Sequence, residues 1–146
     1  MSPELTEFLA THAFSPQALS ALHADGRFTP LMRACKQGRL DLVEELLAQG
    51  VDLGVTNSDG CNALWLACYH GDPLLIERLI DAGIEIDRQN GNGASCLMYV
   101  ASNGKAALVA LLLARGANPH LRNLDDFSAL ELASTPACLK LLRPYR

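Results

Sequence analysis

The middle of the chain carries an apolar pattern that repeats every 33 residues. Within residues 42–47, apolar side chains stand at i, i+1, i+4 and i+5, a spacing typical of one buried stripe along an α-helix. The three copies of the pattern are Leu42, Val43, Leu46 and Leu47; Leu75, Ile76, Leu79 and Ile80; and Leu108, Val109, Leu112 and Leu113. The pattern therefore predicts three equivalent helices, each packed through one face.

Polar residues and glycines keep the same period and predict a shorter helix before each of these. Small polar residues of the type that caps helix N-termini are Thr29, Asn62, Ser95 and Ser128. Glycine, which readily takes the positive φ that ends a helix, recurs at 38, 71 and 104 and again at 50, 83 and 116. Each unit thus predicts a helix of about two turns, as over 29–37, then a turn, a second helix and an extended finger of reverse turns, as over 56–60 and 89–93.

Residues 29–34 (TPLMRA) resemble the signature of the ankyrin repeat, which also has a 33-residue period. The pairs Asp25-Gly26, Asp59-Gly60 and Asn92-Gly93 resemble that family's finger-tip turn, and residues 116–119 (GANP) resemble the motif after its second helix. The resemblance covers about residues 25–146. It implies an all-α repeat solenoid, an elongated stack with N- and C-terminal caps. The expected segments are an N-terminal helical cap 1–24, repeats 25–58, 59–91 and 92–124, and a truncated capping repeat 125–146.

Two departures from the family pattern concern the repeats themselves. The fourth signature position, usually His, is Met32, Trp65, Met98 and Glu131. Trp65 could either fill the gap between repeats or remain exposed. The first unit has one extra residue, since Gly26 to Gly60 is 34 positions whereas Gly60 to Gly93 is 33.

The two end segments predict caps for the stack, because internal repeats bury their surface only against neighbours. At the N-terminus, Ser2-Pro3 and Ser15-Pro16 each predict the start of an amphipathic helix, the second carrying Leu19 and Leu22. At the C-terminus, Ala133 to Leu141 spans 8 positions where Ala34 to Leu46 spans 12, which predicts a shortened second helix.

Composition and charge exclude several classes of protein. Apolar residues make up 49% and charged residues 19%, which predicts a folded chain. The net charge of −4 and the absence of a basic run argue against a nucleic-acid partner. The longest apolar run, 106–114, has nine residues against the roughly 18 that span a bilayer. No signal peptide is recognised, so we expect a cytoplasmic protein without a membrane partner.

No pattern of catalytic or metal-binding residues is present in the sequence. The four histidines have no ligand spacing, and no phosphate-binding glycine loop occurs, so neither metal, cofactor nor enzymatic activity is expected. The five cysteines form no CxxC pair and are expected to be free thiols. Cys35 and Cys68 are expected in the core, and Cys61 is expected to meet solvent more than Cys96.

The family resemblance implies that a partner docks on the concave face, formed by the finger tips and the exposed side of the first helices. Mapped onto this chain, the candidate partner-binding residues are Lys36, Gln37, Asp59, Tyr69, His70, Gln89, Asn92, Asn103, Arg122, Asp125 and Phe127. Tyr69 and Phe127 are the leading anchors, since exposed aromatics are enriched at binding hot spots. Their equivalents in other repeats are Lys36 and Ser102 for Tyr69, and Cys61 and Ala94 for Phe127.

These residues support one leading hypothesis for function and two alternatives. The leading one is a non-enzymatic protein-binding module that is a monomer when free and binds another protein. One alternative is a dedicated inhibitor or immunity protein for one enzyme or toxin. The other is a thiol-based sensor that uses Cys61.

Overall fold

The computed structural model describes residues 1–146 and is built from nine α-helices and one 3-10 helix, with no β-strand. The helices are α1 (Pro3–Thr11), α2 (Pro30–Gln37), α3 (Leu40–Ala48), α4 (Ala63–His70), α5 (Pro73–Asp81), α6 (Cys96–Ser102), α7 (Ala106–Ala114), α8 (Ala129–Leu132) and α9 (Pro136–Leu142), and the 3-10 helix is Arg143–Tyr145. None of them has both the length and the apolar character that crossing a membrane requires. The chain forms two compact units, Met1–Ile84 with α1 to α5 and Glu85–Arg146 with α6 to α9.

The first helix α2 begins and ends where the sequence predicts, whereas Asn62, the predicted cap of α4, precedes that helix without a side-chain cap hydrogen bond. Thr29 Oγ1 accepts a hydrogen bond from the Met32 backbone N–H at 3.1 Å, which satisfies a donor that the first turn of α2 leaves free. Ser95 caps α6 through Met98 in the same way, at 3.2 Å. Gly38 follows α2 with φ of 70° in the left-handed region, where a glycine is favoured.

The second helix of each repeat lies at the centre of the core. Leu42, Val43 and Leu46 of α3 are buried, as are their equivalents in α5 and α7. The fourth residue of each stripe is only half-buried; these residues are Leu47, Ile80 and Leu113. A helix turns by about 100° per residue, so position i+5 lies about 140° from position i and at the edge of the buried face.

Each unit is held together by helix pairs that pack side by side. In the first unit, α2 packs beside α4 and on its own second helix α3, α4 packs on α5, and α1 packs on α3. In the second unit, α6 packs on α7 and beside α8, and α7 packs on α9. The predicted unit of helix, turn, helix and finger is therefore confirmed.

Apolar side chains replace the usual histidine at the fourth signature position. Met32 and Met98 are both 1% exposed, so they fill the core of their helices. Trp65 is half-buried, which lies between the two alternatives that its sequence position allowed. Glu131 instead closes a capping box with Ser128, whose backbone N–H donates to the Glu131 carboxylate at 3.1 Å.

The prediction of a second N-terminal helix, starting at Ser15-Pro16, is wrong. Residues 15–21 form isolated turns, with Ala18 N donating to Ser15 O and Ala21 N donating to Ala18 O. A short helix is costly to nucleate without much apolar surface to bury, and Leu19 and Leu22 are only half-buried. The segment is held instead by the His23 ring, which stacks on Phe14 at 3.9 Å between centroids.

The C-terminal segment has a shortened second helix, as predicted, but its first helix is shortened more. α9 has seven residues where α3 has nine, and α8 has four where α2 has eight. Ala133 leaves the helical region with φ of −59° and ψ of 126°, and Thr135 then caps α9 by accepting from the Cys138 N–H. Cys138 and Leu142 are buried where α9 faces the rest of its unit.

Replacing Ala13 with glycine is expected to stabilise the protein by about 0.5–1 kcal/mol. Ala13 follows α1 with φ of 57°, a left-handed conformation that costs an L-residue about 1–2 kcal/mol, part of which is offset by the greater freedom of glycine in the unfolded chain. Ala10→Gly, an exposed position inside the same helix, is the matched control and should destabilise by about 0.5–1 kcal/mol. Urea unfolding would measure both changes, and equal signs for the two variants would contradict the expectation.

Candidate binding face

The second, third and fourth finger tips are each organised by one asparagine side chain. Asn57 Oδ1 accepts from the backbone N–H groups of Asp59 and Cys61, each at 3.0 Å. The same pair of hydrogen bonds is made one and two periods later, by Asn90 to Asn92 and Ala94 and by Asn123 to Asp125 and Phe127. This asparagine was missed as a structural residue, although its 33-residue spacing was present in the sequence. It makes the tips rigid, which favours a fixed binding surface.

Neighbouring fingers within a unit are joined through their backbones. In the first unit, Ser58 N donates to Gly26 O at 2.8 Å. In the second unit, Leu124 N donates to Asn92 O at 3.0 Å. The backbone from which a finger-tip side chain projects is therefore held in a defined position.

The extra residue of the first repeat lengthens the first finger turn. His23 N donates to Phe28 O across five positions, whereas Asn57 N donates to Cys61 O across four. The inserted position leaves both Arg27 and Phe28 between the tip glycine Gly26 and the cap Thr29. Phe28 thereby directly precedes the cap residue Thr29, as Phe127 directly precedes the cap residue Ser128 on the last finger.

In the first unit, the structure brings Lys36 and Tyr69 together. Lys36 Nζ lies 5.7 Å from the centroid of the Tyr69 ring and 5.0 Å from that of Phe28. The Tyr69 ring is 57% exposed, whereas Phe28 is 7% exposed. Contacts of this kind contribute about 0.5–1 kcal/mol at exposed sites.

Two further cations contact the Phe28 ring. The Arg33 guanidinium carbon lies 4.1 Å from its centroid and that of Arg27 lies 6.0 Å away. We call Arg27, Phe28, Arg33, Lys36 and Tyr69 the cation–aromatic cluster. Sequence analysis named only Lys36 and Tyr69 of this set, since the side chains of Arg27 and Arg33 converge on Phe28 only through the lengthened turn and the start of α2.

His12 lies at the edge of this region, and both its burial and the nearby positive charge affect its pKa. Burial, followed by the nearby Arg33 and His23 charges, lowers the pKa of His12 below its usual value. Gln37 Nε2 lies 3.1 Å from His12 Nε2, so this predicted site residue is engaged within the fold. His70 is exposed and its ring lies against Gly38, where a Cβ atom would clash with it.

In the second unit, two predicted site residues use their polar groups internally. Gln89 Nε2 donates to Gly93 O at 2.8 Å and to Arg122 O at 2.9 Å, which ties two fingers together. Arg122 Nη1 donates to Asp126 O at 2.8 Å and to the Glu131 carboxylate at 3.1 Å. Hydrogen bonds from the Ser128 backbone and side chain, with the Arg122 charge, hold the pKa of Glu131 below its usual value. Gln89 and Arg122 therefore position the fingers.

The remaining predicted residues differ in how far they are occupied. Asn103 Nδ2 donates to the Tyr99 carbonyl at 2.8 Å, at the end of α6. The side chains of Asp59, Asn92 and Asp125 are exposed at finger tips. Phe127 is 45% exposed on the last finger.

Leu124, on the same finger as Phe127, is an exposed apolar residue that sequence analysis missed. It is 77% exposed, the largest value among the large apolar side chains. Its equivalents one and two periods earlier are Gly91 and Ser58, so the repeat itself does not require leucine there. Comparing the fingers position by position would have found it.

The cysteines are separated into four buried thiols and one half-buried one. Cys35, Cys68, Cys96 and Cys138 are buried and Cys61 is half-buried, which confirms the expected difference between Cys61 and Cys96. Burial, with Cys68 nearby, raises the pKa of the Cys35 thiol, so its reactive thiolate is disfavoured at neutral pH. No group of three or more His, Cys, Asp or Glu side chains lies close enough to hold a metal ion.

Comparisons with known proteins agree with this architecture. The sequence matches the family model for ankyrin repeats, which holds three copies, over residues 2–90 and again over 64–145. Among solved structures, the ankyrin repeat domain of Bcl-3, a unique member of the IkappaB protein family, is similar with a TM-score of 0.81 and 25% sequence identity. The match covers 91% of this chain and 59% of that one, so the chain spans well under two thirds of the matched domain. No curated protein matches the sequence significantly. Because the two matches together cover almost the whole chain, the chain belongs to the ankyrin repeat family.

Proposed function

We propose that this chain is a protein-binding module without enzymatic activity, which takes up its partner through the finger tips and the exposed side of the first helices. Ankyrin repeats generally act as protein–protein interaction modules. The proposed segments are repeats 25–58, 59–91 and 92–124 between end segments 1–24 and 125–146, and the free chain is a monomer in a reducing compartment.

The observation that carries this proposal is the exposure of large apolar side chains at positions where the repeat does not require them. Tyr69 is 57% exposed where Lys36 and Ser102 are its equivalents. Phe127 and Leu124 are exposed together on one finger whose backbone is fixed by Asn123. Exposed aromatic rings on a rigid support lose little conformational entropy on binding and are the type enriched at hot spots.

Truncating Tyr69 or Phe127 to alanine is expected to weaken partner binding by about 2 kcal/mol, or about 30-fold in Kd. The partner is first isolated by a pull-down from native cell extract, and each variant is then titrated against it by calorimetry. Finger residues at the rim, such as Ser58 and Asn92, should cost less than about 1 kcal/mol when truncated.

Leu74→Ala is the matched control for these variants. Leu74 is a large apolar residue, 65% exposed, but it lies at the start of the second helix α5. Its truncation should change the affinity by less than about 0.5 kcal/mol. Thermal melts establish that all variants are folded. Full affinity in both Tyr69→Ala and Phe127→Ala would refute the proposed face.

A further inference from the structure

The cation–aromatic cluster carries positive charge that the fold leaves without a carboxylate partner. None of the ion pairs involves Arg27, Arg33 or Lys36. No Asp or Glu occurs from position 26 to 40, and the adjacent Asp25 uses its carboxylate to accept from the Arg27 backbone N–H at 3.0 Å. The Arg33 Nε atom is buried and has no hydrogen-bond partner.

This arrangement differs from that of other cations in the same molecule. Arg39, Arg78 and Arg122 each lie within 4.0 Å of a carboxylate. The chain as a whole carries a net charge of −4, so carboxylates are not scarce. Within residues 1–84, the three Lys and Arg side chains that make no ion pair all lie on the first finger and the adjoining side of α2.

The fold brings the three cations together by local geometry. Arg33 and Lys36 are three residues apart on α2, so they lie on one side of the helix. The lengthened finger turn adds Arg27, whose guanidinium carbon lies 6.0 Å from the centroid of the Phe28 ring. Like charges placed this close repel one another, and the ring face offsets only part of that repulsion. An anion bound here would relieve it.

Tyr69 extends the cluster from a charged site to one that also offers apolar surface. Tyr69 lies on α4, the first helix of the next repeat, and its exposed ring adjoins Lys36 Nζ of α2. A ligand that bears carboxylates with an apolar group between or beside them would satisfy both features. A peptide segment rich in Asp and Glu has this chemistry.

We propose that the cation–aromatic cluster is the docking site for an acidic segment of the partner protein, whose carboxylates meet Arg27, Arg33 and Lys36 and whose apolar side chain meets Tyr69. The proposal rests on the protein-binding function proposed above and names the chemistry of what binds. A polyphosphate backbone carries the same sign of charge, but only three cations converge here and no basic run continues from them, whereas nucleic-acid binding depends on neutralising many successive phosphates.

The test uses fluorescein-labelled hexaglutamate as the probe, measured by fluorescence anisotropy with the full chain at low and at physiological salt. Hexaglutamine and hexalysine are the matched peptides, and an oligothymidylate of equal charge represents nucleic acid. Of these four probes, only hexaglutamate should bind, and its affinity should fall as the salt concentration rises. The Arg33→Gln/Lys36→Gln double variant should weaken it by at least about fivefold, while Lys140→Gln, an exposed cation on α9, should change it by less than about twofold.

The outcomes separate this proposal from the function on which it rests. No binding of hexaglutamate, equal binding by the double variant, or tighter binding of oligothymidylate would each overturn the acidic docking site. A random-peptide display library presented to the same protein tests the protein-binding function separately. Peptides enriched without an excess of Asp and Glu, and bound equally by the double variant, would overturn the acidic class while supporting protein binding.

Discussion

Deleting residues 125–146 is expected to convert the protein into an aggregating species. The deletion removes α8 and α9, which pack on α6 and α7. Leu108, Val109 and Leu112 of α7 are at most 4% exposed in the intact chain. Burying one such side chain contributes about 1.5–3 kcal/mol, so losing the cover from several of them removes a large part of a domain's net stability. The uncovered face would also form an apolar patch of the kind that drives association.

A shorter deletion gives the matched control for this experiment. Removing only residues 143–146 deletes exposed residues and leaves α9 with its buried Cys138 and Leu142. This variant should remain monomeric by light scattering and lose less than about 1 kcal/mol of stability. If the chain ending at residue 124 were also monomeric, with an unchanged melting temperature, residues 125–146 would have no capping role.

The repeat architecture could be predicted from the sequence because it depends on interactions that recur in register. Each signal is local: a cap such as Thr29 or a glycine such as Gly38 affects the helix end beside it. Apolar pairs such as Leu42 and Val43 mark the buried face of their own helix. Their meaning is therefore visible in the sequence alone, and the period multiplies the signal. The N-terminal segment has no such repetition, and the Ser15-Pro16 signal for a helix proved wrong because Leu19 and Leu22 bury too little apolar surface to offset the cost of nucleating a short helix.

The candidate site was harder to predict because it depends on contacts between repeats. Gln89 and Arg122 were selected as surface polar residues, yet their hydrogen bonds to neighbouring finger backbones and to Glu131 position the fingers. Arg33 was not selected, because nothing in its sequence neighbourhood shows that the Phe28 ring lies 4.1 Å away. Exposure of Tyr69 and Phe127 was predictable, since both depart from the residue type that the repeat places there.

Gly93→Ala is expected to destabilise the protein by about 1.5–4 kcal/mol. Gly93 has φ of 76°, and an L-residue in this left-handed region costs about 1–2 kcal/mol, of which about 0.5–1 kcal/mol remains once the lower freedom of alanine in the unfolded chain is counted. A Cβ atom at this position would also lie 2.9 Å from the Leu124 backbone nitrogen and 3.1 Å from Asn123 Cα. These are backbone atoms of the adjacent finger and cannot rotate away, so the finger must shift and the Leu124 N to Asn92 O hydrogen bond must lengthen, a packing cost of about 1–3 kcal/mol.

Gly116→Ala isolates the backbone part of this effect within the same unit. Gly116 has φ of 93°, but a Cβ atom there would have no neighbour within 4 Å, so its substitution should cost only the net backbone term of about 0.5–1 kcal/mol. Asp126 occupies the position equivalent to Gly93 on the last finger with φ of 67°, which shows that a side chain fits there. Asp126→Gly should therefore stabilise by about 0.5–1 kcal/mol, opposite in sign to Gly93→Ala. Chemical unfolding of the three variants measures these differences, and equal losses in Gly93→Ala and Gly116→Ala would show that close packing of the fingers contributes nothing to stability.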